Sequence, residues 1–321
     1  MNSHSETALH TPPTVRPFQN ADAEAVARLV TAGVRGHWQY RPEQFRESGD
    51  PHKIRLVAER GGDLIATANL SPSGDGAPDA LRLDLAGDGA AFSLLYLHLL
   101  AELPPGFTRL LGVTREDFSE KMAFYTAAGF RNAWQSWGAH LDLTTFDFER
   151  WRPLEEKLYV QGFEVARWKN DATDAEWDAL YELHRQGEKD VPRNPVTTSA
   201  SLGREALREV MTREEAVFVV WHKQQPVALT RLTLPQLNSP GQHSLQEAAE
   251  VANDLTTTHP AWRSRGLATL LKAHALGWAR AQGYAEASTG GTVLNLPMLR
   301  VNTRLGYVTE QMWVTWEYRL H

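Results

Sequence analysis

The sequence predicts a mixed α/β protein in which two copies of one fold follow each other, each a sheet with helices packed on it. Three observations carry this. Each half opens with a strand-like run and an acidic helix start, "VRPFQNADAEAVARLV" at 15–30 and "VARWKNDATDAEWDALYEL" at 165–183. Each half closes on helix, glycine and strand: "FYTAAGF" ends at Phe130, "VNTRLGY" ends at Tyr307, and Trp-bearing runs follow both (Trp134 and Trp137; Trp313 and Trp316). The 321 residues give room for about two domains of roughly 150 residues.

Taken in order, the elements are a polar tail (1–14), a first domain (15–145), a connector (146–162) and a second domain (163–321). The connector, "FDFERWRPLEEKLYVQG", reads as a helix closed by Gly162. Helices are expected at about 174–188 and 202–212. A hairpin follows in "AVFVVWHKQQPVALTRLTL", where two β-rich runs flank "HKQQP". "PQLNSPGQHSLQE" is a polar Pro/Gly loop, and "EVANDLTTTH" is a Thr-rich strand. "LATLLKAHALGWARAQG" carries Leu267, Leu270, Leu271, His274, Ala275 and Trp278 at helical spacing.

Composition narrows the function. Thirty-three Lys and Arg against 39 Asp and Glu give a net charge of −6, which argues against a general nucleic-acid or anionic-membrane binder. Cysteine is absent, so disulfides, thiolate zinc sites and cysteine nucleophiles are excluded. The 12 His are scattered without paired ligand spacing, and no metal is expected. No G-x-S-x-G elbow occurs. The first residues hold no apolar signal segment, and no run approaches the roughly 18 apolar residues of a spanning helix. A cytoplasmic protein is the expectation.

The informative stretch is "PAWRSRG" at 260–266, between the Thr-rich strand and the long helix. The first turn of a helix presents unpaired N–H groups and the positive end of its dipole. Gly266 lets a ligand approach that backbone closely, and Arg263 and Arg265 add fork-shaped donors. The combination describes a phosphate or diphosphate site. It is not the common nucleotide loop, since GxxxxGK[ST] is absent and "GDGAAF" at 87–92 lacks the last glycine of G-x-G-x-x-G.

With these residues the chain resembles the GCN5-related N-acetyltransferase (GNAT) family, in particular its tandem, two-domain members such as mycothiol synthase. "RSRGLA" fits the family loop [Q/R]-x-x-G-x-[G/A], and "NLPMLRVNTRLGY" at 295–307 is similar to the tandem members' N-x-x-M-x-x-x-N-x-x-L-G-[F/Y]. The resemblance covers 163–320 well and 15–145 in outline. It implies a sheet whose fourth and fifth strands splay apart to admit acetyl-CoA, the co-substrate. By the same resemblance Thr256, Thr257 and Thr258 offer backbone groups to the pantetheine. Arg263, Ser264, Arg265, Gly266, Leu267, Ala268 and Thr269 wrap the diphosphate, and Asn295 and Asn302 bond the arm from the other side. Asn295 can also simply cap the helix that holds Pro297 in its first turn.

The repeat supplies an internal comparison. Gly266 lies 40 residues before Gly306, and Gly89 lies 40 before Gly129. Arg263 and Arg265 then correspond to Ala86 and Asp88, so the expectation is that only the second half binds the cofactor. The resemblance implies direct acetyl transfer to a small-molecule amine, without nucleic acid or membrane, by a monomer or homodimer. Glu250 and Asp254 lie four residues apart on one strand face, and either is a candidate proton acceptor. The family's Tyr four residues before the capping glycine is here Asn302, with Tyr125 in that place in the first half; Tyr307 or water is left as the acid. Gly291 stands where tandem relatives tend to carry Asn. Trp38 and Trp262 are candidates for lining a cleft. A non-enzymatic acyl-CoA-binding or scaffold protein is the alternative, and aminoacyl transfer from tRNA is disfavoured by the basic loop and the negative net charge.

Overall fold

The computed structural model describes residues 12–35, 39–46, 49–74, 76–169, 171–196, 201–213, 215–234 and 250–320. In chain order the elements are β1 (Thr14–Pro17), α1 (Ala23–Gly33), β2 (Ile54–Arg60), β3 (Asp63–Pro72), β4 (Ala80–Gly87), α2 (Phe92–Ala101), β5 (Arg109–Arg115), α3 (Ser119–Ala127) and β6 (Arg131–Asp142). They continue with α4 (Arg152–Tyr159), β7 (Phe163–Arg167), α5 (Asp174–Asp190), α6 (Arg204–Arg213), β8 (Glu215–His222), β9 (Gln225–Thr233) and β10 (Glu250–Thr258). The last are α7 (Leu267–Ala281), β11 (Glu286–Thr292), α8 (Leu296–Leu305), β12 (Val308–Thr309) and β13 (Trp313–Arg319). The described residues form two compact units, one within Met1–Gln135, Asn194–Ser199 and Trp313–His321, the other within Ser136–Arg193 and Ala200–Met312.

The first unit is a mixed sheet in the order β1-β2-β3-β4-β5-β13, antiparallel except where β4 runs parallel to β5. Leu95 and Leu99 of α2 join the core on one face with Leu56, Leu81 and Leu83. Val26 and Ala27 of α1 form a second cluster with Phe45 and Val57.

The second unit has the order β6-β11-β10-β9-β8-β7, with β12 pairing β6. Thr173 and Glu176 close a reciprocal capping box that starts α5. The β8–β9 connection is a two-residue turn at Lys223 and Gln224, both with positive φ (48° and 65°), which matches the strand twist of a tight hairpin. Leu267, Leu270, Leu271 and Leu276 of α7 are all within 1% of full burial in one cluster. Each such side chain contributes roughly 1.5–3 kcal/mol on removal from water. Trp177, Leu180 and Leu183 of α5 form the other cluster with Leu207 of α6 and Val217, Val219 and Leu229 of the sheet.

The units cross the expected boundaries of 15–145 and 163–321 at the closing strand of each half. β13 pairs with β5 along its whole length, from Trp313↔Arg115 to Arg319↔Arg109. Residues 136–142 of β6 pair with β11 in the second unit. Side chains explain where β13 lodges. Glu317, 2% exposed, is met by Arg109 at 3.1 Å and by Arg131, and Trp316 stacks on Tyr125 at 5.7 Å. Among the described residues no helix is long and apolar enough to cross a membrane.

Candidate active site

In the second unit β10 and β11 pair only from Glu250↔Glu286 to Asn253↔Thr289. A bulge then interrupts β10 between Asn253 and Thr256. Asn253, 4% exposed, fixes this fork: its Nδ2 donates to Thr230 Oγ1 (2.9 Å) and to the Arg231 carbonyl (2.7 Å), while Thr289 Oγ1 donates to its carbonyl (2.9 Å). Beyond the fork β10 stays paired to β9 through Thr256, Thr257 and Thr258, so its other edge carries backbone groups that β11 leaves free. The splay expected of the fourth and fifth strands is therefore present.

The turn after β10 contains two left-handed residues, Ser264 (φ 62°) and Gly266 (φ 94°). Gly266 is the N-cap of α7, and no side chain caps that end. The N–H groups of Leu267, Ala268 and Thr269 have no intrahelical acceptor. A Cβ on Gly266 would sit 3.1 Å from Leu154 Cδ1, so glycine serves both the dihedral and the packing. On the other side Gly187 of α5 lies so close to Thr257 that a Cβ there would approach Thr257 Cβ to 2.6 Å.

A cavity of about 540 Å³ opens here. Thr256, Thr257, Thr258, Arg263, Ser264, Gly266, Leu267, Ala268, Thr269 and Asn295 all line it, and Trp262 does as well. Two expected residues do not line it. Arg265 lies over the Trp262 ring, 5.1 Å from its centroid. Asn302 is 1% exposed, and neither polar atom of its amide has a hydrogen-bond partner among the described residues, an arrangement that is costly unless something fills it. Asn295 caps α8 by accepting from the Met298 amide at 3.3 Å. Trp38 lies outside the described residues.

Charge in the cavity is arranged differently from the expectation. Arg263 is bound to the Asp190 carboxylate and donates to the Thr258 carbonyl at 3.0 Å. Desolvation works upward on Asp190, but hydrogen bonds from Gln186 and Arg263 outweigh it and hold its carboxyl below the usual range. Arg300 and Arg304 of α8 line the cavity and were not picked out from sequence. Their one-turn spacing behind Asn295 and Pro297 was the available signal, since i and i+4 share a helix face. Gly291 has a steric reason: a Cβ there would lie 2.7 Å from the Trp137 indole, whose Nε1 donates to the Thr292 carbonyl (3.1 Å).

The two candidate carboxylates have different surroundings. Asp254 follows the fork and pairs with Arg231, a side chain 8% exposed. His184, 2% exposed, lies nearby; desolvation and the Arg231 charge hold it below its ordinary range against the pull of Glu188 and Asp254. Glu250 opens β10, about 13 Å back along the strand. It is gathered with His140 and Glu286, and ligand atoms of the three lie within 4.8 Å of one another. Three separate strands supply that group, so sequence spacing does not reveal it. Tyr307 is buried with its hydroxyl unpartnered, and desolvation raises it well above the ordinary range of a phenol.

In the first unit β4 and β5 also pair only briefly, from Ala80↔Arg109 to Arg82↔Leu111, but Tyr125 occupies the point where they part. Tyr125 places its hydroxyl on the Leu83 carbonyl at 2.9 Å. The left-handed glycine of the following turn is Gly87 (φ 100°), not Gly89. Asp88 occupies the helix start, accepting from the Ala90 amide (3.0 Å) and pairing with Arg60 (3.2 Å).

The fork and the uncapped glycine turn lie in one unit, and the comparisons with known proteins bear on that unit first. Residues 177–307, within the second unit, match the model of the acetyltransferase (GNAT) family. Solved structures are similar across nearly the whole chain. A GCN5-related N-acetyltransferase from Sphaerobacter thermophilus aligns over 96% of this chain and 95% of that one, with a TM-score of 0.60 and 14% identity. A tandem GNAT protein from the clavulanic acid biosynthesis pathway aligns over 96% and 98%, with a TM-score of 0.53 and 18% identity. A glucosamine N-acetyltransferase region of a fungal multi-domain β-N-acetylglucosaminidase aligns over 96% of this chain and 38% of that one (TM-score 0.63, 13% identity). No curated protein matches the chain significantly.

Proposed function

We propose that the chain is an acetyl-CoA-dependent N-acetyltransferase acting on a small-molecule amine, with the cofactor held by the second unit alone. The observation that carries this is the free edge of Thr256–Thr258 leading into the open first turn of α7, in one cavity. In this reading Thr256, Thr257 and Thr258 pair with the arm as a neighbouring strand would. The amides of Gly266, Leu267, Ala268 and Thr269 take the diphosphate, with Arg300 and Arg304 supplying charge and Arg263 joining on release from Asp190. When bound, acetyl-CoA supplies a thioester carbonyl for direct attack.

Asp254 is the favoured proton acceptor. It stands at the fork, paired with Arg231, and takes the ammonium proton directly or through water. Glu250 is farther from the fork and remains the second candidate. Tyr307 stays protonated across the neutral range and is the candidate donor to the departing thiolate, with water as the other. The first unit, with Tyr125 on the Leu83 carbonyl and Asp88 capping the helix start, keeps a tandem GNAT-like form without a cofactor site. We place the protein in the cytoplasm on the same reading.

The test is calorimetric titration with acetyl-CoA, followed by thiol release across a panel of amines. Binding with turnover of some amine is the expected result. Binding without turnover across the panel would favour an acyl-CoA-binding protein, and absence of binding would overturn both.

A further inference from the structure

The first unit contains a cavity of about 420 Å³ that the acetyl-transfer reading does not use. It lies among α1, α3 and the ends of β3, β4 and β5 where the latter two have parted. Its apolar walls include Val26, Val30, Phe45, Phe118 and Trp313. Its charged groups are Arg55, Arg82 and Lys121 against one carboxylate, Asp84. Arg82 already pairs with Asp84 at 2.8 Å. Arg55 and Lys121 are left without a paired carboxylate among the described residues. Arg55 donates to the Phe45 carbonyl (3.0 Å) and lies over the Phe45 ring at 4.8 Å. Lys121 reaches only the Gly33 carbonyl (3.3 Å) and the face of Phe118 at 5.3 Å. Burial lowers both cations from their ordinary values, and Asp84 offsets this only in part.

Asn69 is the second, independent observation. It lines the same cavity, is 7% exposed, and its Oδ1 has no partner while Nδ2 reaches Ser71 Oγ at 3.4 Å. Turning the amide over exchanges its two atoms: the oxygen then accepts from the Ser71 hydroxyl and the NH₂ faces the cavity. Two half-buried, unpaired cations and an unsatisfied amide in an apolar enclosure are costly when the enclosure holds nothing negative. One oxyanion on an apolar body answers all of these at once. Coenzyme A itself does not fit this role, since Tyr125 takes the Leu83 carbonyl at the strand edge and Asp88 and Glu120 stand near the turn where a diphosphate would lie.

We propose that the first unit binds a small organic carboxylate with an apolar body, its carboxylate held by Arg55, Lys121 and Asn69 and its body against Val30, Phe45 and Phe118. Guanidinium and ammonium groups in a partly dry cavity favour a carboxylate over its neutral amide, and the apolar walls favour it over inorganic phosphate.

The test is fluorine NMR of para-fluorobenzoate with the full chain, with para-fluorobenzamide as the neutral isostere and inorganic phosphate as competitor. Millimolar or tighter binding of the carboxylate is expected, at least about tenfold tighter than the amide. Asn69→Asp, nearly isosteric but negative, and Lys121→Met, which keeps the aliphatic stem, should each weaken it by about tenfold or more while leaving acetyl-CoA affinity unchanged. Equal binding of acid and amide, no binding of either at about 10 mM, or affinity untouched by both variants would overturn the proposal. Displacement by phosphate at equal affinity would overturn the apolar half of it.

Discussion

Lys272 offers a pH-dependent stability change whose sign and size follow from its position. It is 1% exposed on α7, its ammonium lies 5.2 Å from the Tyr307 ring centroid, and no carboxylate pairs with it among the described residues. Burial pushes the ammonium down to about 7 from an ordinary 10.5. In the unfolded chain the group keeps its proton up to its ordinary value, so between these two pH values the unfolded state binds more protons. Stability therefore rises with pH through that window. From pH 7 to pH 9 the gain is two units at about 1.4 kcal/mol each, less the half-protonation remaining at pH 7, or about 2 kcal/mol. Lys272→Met removes this slope. At pH 7 it also removes a penalty of about 4 kcal/mol, of which the lost ring contact returns up to about 2, so the variant is the more stable by about 2 kcal/mol. Urea unfolding of both proteins at pH 7 and pH 9, followed by tryptophan fluorescence, measures the difference. Parallel stability changes in parent and variant would refute the reasoning.

Three further outcomes concern the cofactor cavity and are read by calorimetry or steady-state kinetics. Arg304→Glu weakens acetyl-CoA binding by at least about tenfold, since it replaces a charge-assisted contact by repulsion; Arg265→Glu, lying over Trp262 outside the cavity, has the smaller effect. Asp190→Asn releases Arg263 toward the diphosphate and tightens acetyl-CoA binding, by a few-fold given the solvent screening at this half-exposed pair. Asp254→Asn lowers kcat with little change in acetyl-CoA affinity, whereas Glu250→Gln leaves kcat within a few-fold of the parent.

Much of the second unit was legible because its signals are local. The capping box at Thr173, the hairpin turn at Lys223 and Gln224, and the glycine turn before Leu267 each lie within a few residues of the element they start or stop. The fork was legible only through family resemblance, since where β10 leaves β11 depends on a bulge. The pairing of Arg263 with Asp190 was not legible, because the partners are 73 residues apart and meet only when α5 lies against β10. Arg300 and Arg304 are legible in the sequence: with Pro297 they fall at i, i+3 and i+7 of the helix that Asn295 caps, on one face. The glycine correspondence in the first half was displaced by two residues, because a fixed spacing of 40 carries no information about which glycine takes the left-handed conformation.

The lodging of β13 beside β5 has a consequence for biogenesis. β13 is made about 200 residues after β5 yet belongs to the same sheet, so that edge of β5 waits unpaired until residues 313–319 have been synthesised. Cutting the gene anywhere between codons 145 and 163 would yield two fragments, each carrying the other's closing strand, and neither would mature alone; mixed together they could complement.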